Sequence, residues 1–116
     1  MSKYGPAIAA AQEALDATSR CYDHLKGKAQ NLGDDDDAQK ESANMETAAT
    51  ACHECVTELR TVLAGLESGT HEGLGAAAEM CHATAQALDP FELDPSAYTA
   101  AEACRSAEKA LRNASH

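Results

Sequence analysis

"GPAIAAAQEALDATSRCYDHLKGKAQNLG", residues 5–33, opens on Gly-Pro and closes on Gly, and between them apolar residues return every three or four positions. Pro6 suits a first helical turn, where its missing N–H costs nothing, and Gly33 suits a helix stop. The inward stripe reads Ile8, Ala11, Leu15, Thr18, Tyr22, Leu25, Ala29 and Leu32, a heptad seam that requires partner helices.

The rest of the chain supplies them. A second helix starts within Asp34–Asp37 and ends near Leu66, before Gly69, Gly73 and Gly75. Its seam is Met45, Ala49, Cys52, Val56, Leu59, Leu63 and Leu66, with Cys55 on the flank. A third, from about His71 to Leu88, carries Leu74, Ala77, Cys81, Thr84 and Leu88. After the break "DPFELDP", Asp94 is placed as N-cap and Pro95 as first helical residue of a fourth helix to about Asn113, striped by Ala97, Ala100, Cys104, Ala107 and Leu111. Four amphipathic helices with short connections predict an all-α, up-and-down antiparallel four-helix bundle, one domain over residues 1–116.

Composition agrees. One Phe, three Tyr and no Trp leave a core of Ala and Leu, which suits close helix packing and not a β-sandwich. A formal net charge of -10 with no basic cluster argues against nucleic acid as a partner. No stretch approaches the roughly 20 apolar residues of a membrane span, and no secretory signal is legible, so a cytoplasmic location with reduced thiols is expected. The Asp34–Asp37 run lacks the glycine and distal Glu of a calcium loop and reads as a solvated helix start.

Five cysteines are distributed over all four helices: Cys21, Cys52 and Cys55, Cys81, and Cys104. Counting from each turn at about 1.5 Å per residue sets Cys21 level with Cys52, Cys55 with Cys81, and Cys81 with Cys104, each to within roughly 3 Å. Thiols from every helix therefore converge near mid-bundle. Thiolates are soft ligands suited to Cu(I) and Zn(II); Cu(I) is satisfied by two or three, whereas zinc wants four ligands. The competing reading is that Cys is a small apolar side chain filling a tight core.

Other chemistry has less support. In "CHEC" (52–55) the cysteines fall mid-helix, away from the free N–H groups that activate a redox CxxC, and Glu58 stands where a helical peroxidase of the alkylhydroperoxidase partner type would have His. Glu79 and His82 form a single ExxH, where a di-iron bundle needs two. His24, His71 and His82 fall on outer positions and His53 borders the seam. Met45 and Met80 read as packing residues. No phosphate loop or hydrolytic arrangement appears, so an enzyme is not expected.

The segments "AAEACRSAEKAL" (100–111), "AAEMCHATAQAL" (77–88), "ATACHECVTELRTVLAGLESGTHEGL" (49–74) and, more loosely, "ATSRCYDHL" (17–25) resemble the bacterial copper storage proteins, cytosolic four-helix bundles whose helices carry repeated Cys spacings. The resemblance implies Cu(I) binding through core thiolates, with Cys52, Cys55, Cys81, Cys104 and Cys21 as ligands. Where that family repeats Cys a turn on, this chain has Ala85 and Leu88 after Cys81, and Ala107 and Leu111 after Cys104. The expectation is reduced accordingly to one or a few Cu(I) ions, held for buffering or storage. The alternative is a metal-free helical interaction module on the same scaffold; redox catalysis ranks third.

Overall fold

A computed structural model describes residues 4–31, 33, 35–69 and 72–114. Helices α1 (Gly5–Gln30), α2 (Asp36–Glu67), α3 (Leu74–Leu88) and α4 (Pro95–Ala114) follow in order, with one 3-10 turn at Asp89–Phe91 in the last connection. Helix α1 packs on α2 and α4, and α3 packs on the same two, so the four close into a ring in which the diagonal helices make no close backbone approach among the described residues. This is the expected four-helix bundle, 53 Å long and 20 × 17 Å across.

The ends are set by local chemistry. The Asp35 carboxylate caps α2 by accepting from the Ala38 N–H at 2.7 Å, with Asp36 and Asp37 in the first turn facing the positive end of the helix dipole. The aspartate run is thus a helix start as read, apart from Asp34, which lies outside the described residues. Gly69 at φ +89° and Gly73 at φ +80° take the left-handed backbone that turns α2 into α3. Helix α3 begins at Leu74, later than the expected start at His71, which also lies outside the described residues. Asp94 accepts from the Ser96 N–H at 3.0 Å and Pro95 opens α4, as read.

The seams of α2, α3 and α4 face inward as expected, and all of their named residues are buried. Helix α1 differs. Its buried stripe is Ala7, Ala11, Ala14, Ala17, Thr18, Cys21, Leu25 and Ala29, while Ile8, Leu15 and Tyr22 are half-buried against the core's edge; Leu32 lies outside the described residues. The helix is rotated toward its small side chains, because Ala and Cys let neighbouring backbones approach most closely while larger residues cover the grooves beside the contact.

Thr18 and Thr84 are the buried polar side chains of this core. Each hydroxyl donates to the carbonyl one turn back, to Ala14 at 2.7 Å and to Met80 at 2.8 Å. No buried side-chain N or O among the described residues lacks a partner. Unequal helix lengths leave a step: α3 has 15 residues against 32 in α2, and nothing in α2 before Met45 is buried. The α1–α2 hairpin therefore projects beyond the α3–α4 connection, which closes against α1 through Asp94.

Candidate metal centre

All five cysteines are free and fully buried, each with 0% exposure. Cys21 and Cys55, expected beside the seam, are as deeply buried as Cys52, Cys81 and Cys104. For Cys21 the cause is the rotation of α1. For Cys55 it is the position of α2, which packs on both α1 and α3 and so buries two adjacent stripes.

The expected matches in height bring the thiols together in two groups. Cys21 and Cys52 lie near enough across α1 and α2 for each thiol to shift the other's ionisation. Cys55 meets Cys81 with sulfurs 4.0 Å apart, joining α2 and α3, and Cys104 of α4 lies near enough to both to shift their ionisation. The groups are linked through the single helical turn separating Cys52 from Cys55.

Within each group one thiol ionises first, at its neighbours' expense. The Cys55 thiol lies below its ordinary range because the neighbouring Cys104, then Cys81, favour its charged form, with Thr84 assisting against the opposing effect of burial. Its charge pushes Cys104 up, through the bonds to Cys55 and Cys81 and through burial. Cys81 also rises: the Cys104 bond lowers it, but the bond to Cys55, burial and the Cys55 charge outweigh that. In the pair, the bond from Cys52 lowers Cys21 against burial, and the same bond, followed by burial, raises Cys52.

Leucines close the core along every helix. Leu25 follows Cys21 by one turn, Leu59 follows Cys55 by one turn, Leu74 and Leu88 stand two turns either side of Cys81, and Leu111 stands two turns beyond Cys104; all five are fully buried. The surroundings are thus apolar, and the buried Thr84 hydroxyl near Cys55 donates to the Met80 carbonyl. Among the described residues, no three His, Cys, Asp or Glu side chains already surround a common point suited to a metal ion. The Cys55 and Cys81 sulfurs stand at packing contact.

The histidines of the described residues lie outside this core. His24 bonds Asp94 at 2.8 Å, His82 bonds Glu108 at 3.1 Å, and His53 is exposed with its ring 5.3 Å from that of Tyr22. Glu79 is exposed like His82, so the ExxH element faces outward. Met45 is buried and Met80 half-buried, both as packing residues. Sequence reasoning did not find the clasp at Asp94, which also accepts from Lys28 at 3.1 Å. The isolated basic residues His24 and Lys28, one turn apart near the end of α1, were its only signal.

The fold and site together define a four-helix bundle with a buried thiol core. Comparison with family models, curated proteins and solved structures finds no match to the chain. No described helix is long and apolar enough to cross a membrane.

Proposed function

We propose that this protein binds one or a few Cu(I) ions through its buried cysteine thiolates, as a small-capacity copper buffer or store related in design to the copper storage bundles. The observation that carries the reading is the convergence of all five thiols, unpaired by disulfides, in one fully buried mid-bundle zone. Soft sulfur favours Cu(I), and two thiolates suffice for it. Sulfurs about 2.3 Å from a shared metal lie roughly 3.8–4.6 Å apart as the angle between them opens from tetrahedral to linear. The 4.0 Å between Cys55 and Cys81 falls inside that span.

Binding exchanges protons for metal: two thiols release two protons as Cu(I) takes both sulfurs, leaving a complex of charge -1. The leucines around the site exclude water, which keeps the soft sulfur ligands free of competing oxygen donors. Zn(II) is served less well, since it wants four ligands and neither thiol group supplies them. Free thiols persist in a reducing compartment, and a cytoplasmic site of action follows from that chemistry.

An anaerobic Cu(I) titration against a competing chelator tests the reading. At least one ion per chain is expected, with binding lost in the Cys52→Ala/Cys81→Ala double variant, which breaks both groups. A stoichiometry below one, or unchanged binding in the variant, overturns it. That result would favour the metal-free module, in which the cysteines serve as small apolar filling in a core whose polar groups are already satisfied.

A further inference from the structure

The CxxC spacing of "CHEC" suggests a bridge between Cys52 and Cys55, and the helix forbids it. Both lie in the interior of α2, where residues three apart hold their Cβ atoms about 5–6 Å from one another. A disulfide needs about 3.5–4.5 Å between them. Closing that gap would unwind a turn whose next residues, Val56 and Leu59, are buried in the core.

The fold supplies Cys55 with a different partner. Cys55 on α2 and Cys81 on α3 face each other with sulfurs 4.0 Å apart, and both thiols are free. Their helices are consecutive and turn back on each other through Gly69 and Gly73, so a bridge would close an existing hairpin. Reaching the S–S bond length of about 2.05 Å asks each sulfur to move about 1 Å.

Burial selects the reagent. At 0% exposure neither sulfur can be reached by a second protein, whether a dithiol oxidase or another copy of the chain. Charged oxidants are disfavoured by an apolar core inside a chain of net charge -10. A peroxide of a few atoms is small and neutral, and the local opening of a short helix such as α3, 15 residues long, admits it.

We propose that Cys55 and Cys81 are the site of a reversible disulfide between α2 and α3, formed by a small uncharged peroxide. Two S–H bonds and the O–O bond break, one S–S bond and two O–H bonds form, and two water molecules leave. The two sulfurs together give up two electrons, which reduce the peroxide oxygens. A dithiol reverses the step by exchange, returning both hydrogens and closing to its own disulfide. No metal enters the reaction, so the bridge does not depend on the copper reading.

The test uses hydrogen peroxide on the metal-free full chain, folded in buffer and unfolded in urea, with the remaining thiols alkylated in acid before digestion. Cleavage after Glu separates every cysteine that matters: Cys52 falls in Thr47–Glu54, Cys55 in Cys55–Glu58, Cys81 in Met80–Glu92 and Cys104 in Ala103–Glu108. In the folded chain the first product should be Cys55–Glu58 joined to Met80–Glu92, removed by dithiothreitol. In urea the short Cys52–Cys55 loop should lead instead, because closing a longer loop costs more chain entropy.

Cys104→Ala and the Cys21→Ala/Cys52→Ala double variant should keep the bridge, with helicity checked by circular dichroism; the two are independent, and the wild-type map decides if both fail to fold. A first bridge in folded wild type that contains Cys21, Cys52 or Cys104 would overturn the proposal. So would the same linkage in folded and unfolded chains, or thiols that stay unoxidised in the folded chain under peroxide that oxidises the unfolded one.

Discussion

Replacing Asp94 tests how the two halves of the bundle are held together. Its side chain, 9% exposed, accepts from the Ser96 N–H in capping α4 and from His24 and Lys28 of α1. The cap is worth about 1 kcal/mol. The two pairing partners, His24 and Lys28, are 45% and 50% exposed, so solvent screening holds each pairing to about 0.5 kcal/mol or less. Asp94→Ala should therefore cost about 1.5–2 kcal/mol in urea unfolding at pH 7, or roughly 6–8 °C in Tm for a chain of this size. Asp94→Asn keeps a capping oxygen and loses only the charge, so about half of the effect should remain. The charged pairings and the cap bond hold the Asp94 carboxyl below its ordinary value against the opposing effect of burial. A depressed carboxyl stabilises above its unfolded pKa of about 3.9, and that contribution disappears as the pH falls through the lower folded value. The gap between wild type and Asp94→Asn should accordingly close below about pH 4. A gap that stays constant to pH 2, or an Asp94→Ala cost under about 0.5 kcal/mol, would refute the clasp.

Other outcomes follow from burial. Leu59→Ala removes a fully buried side chain one turn from Cys55 and should cost about 2–5 kcal/mol in denaturant unfolding, enough to melt much of the bundle. Leu93→Ser, at a residue 95% exposed, should stay within about 0.5 kcal/mol of wild type in the same assay. Thr84→Val keeps the shape but removes the hydroxyl near Cys55 that favours its charged form, and so should slow the alkylation of Cys55 by a small thiol reagent in mildly destabilising urea, as read by mass spectrometry. Heating at neutral pH with one equivalent of Cu(I) should raise Tm by several degrees, as expected for a ligand bound by the folded chain alone.

The fold was legible because its punctuation is chemical. Asp35, Gly69, Gly73, Asp94 and Pro95 each do locally what their residue types favour, and once the turns are placed the count along each helix fixes which cysteines share a level. Helix rotation was harder to read. In α1, Ile8, Leu15 and Tyr22 outweigh alanine on any hydrophobic scale, yet the alanine face is the one that permits closest approach, and it carries Cys21 inward. Alanine-rich bundles invite this misreading, because the residues that determine contact distance contribute least to the hydrophobic pattern.

The same limit explains what remained hidden at the site. Matching heights follows from one coordinate, position along the axis, and that much the turns supply. Which neighbour a thiol meets depends on a second coordinate, the angle about each axis, where the roughly 60° between Cys52 and Cys55 decides whether a cysteine on α2 lies toward α1 or α3. The Asp94 clasp depends on yet another property, the shortness of α3, which brings the α4 cap level with His24 and Lys28 rather than with the α1–α2 turn. Metal chemistry adds a requirement of its own. A core that merely fills space needs its sulfurs at contact distance, and a core that binds an ion needs them to shed protons and close on one centre, so the energetic difference lies in desolvated charge rather than in packing. Direct competition between Cu(I) and protons is for that reason the sharper measure of this core: the apparent Cu(I) affinity of a two-thiol site should fall by up to about 100-fold for each unit the pH drops, whereas a packing core shows no metal-linked proton release at any pH.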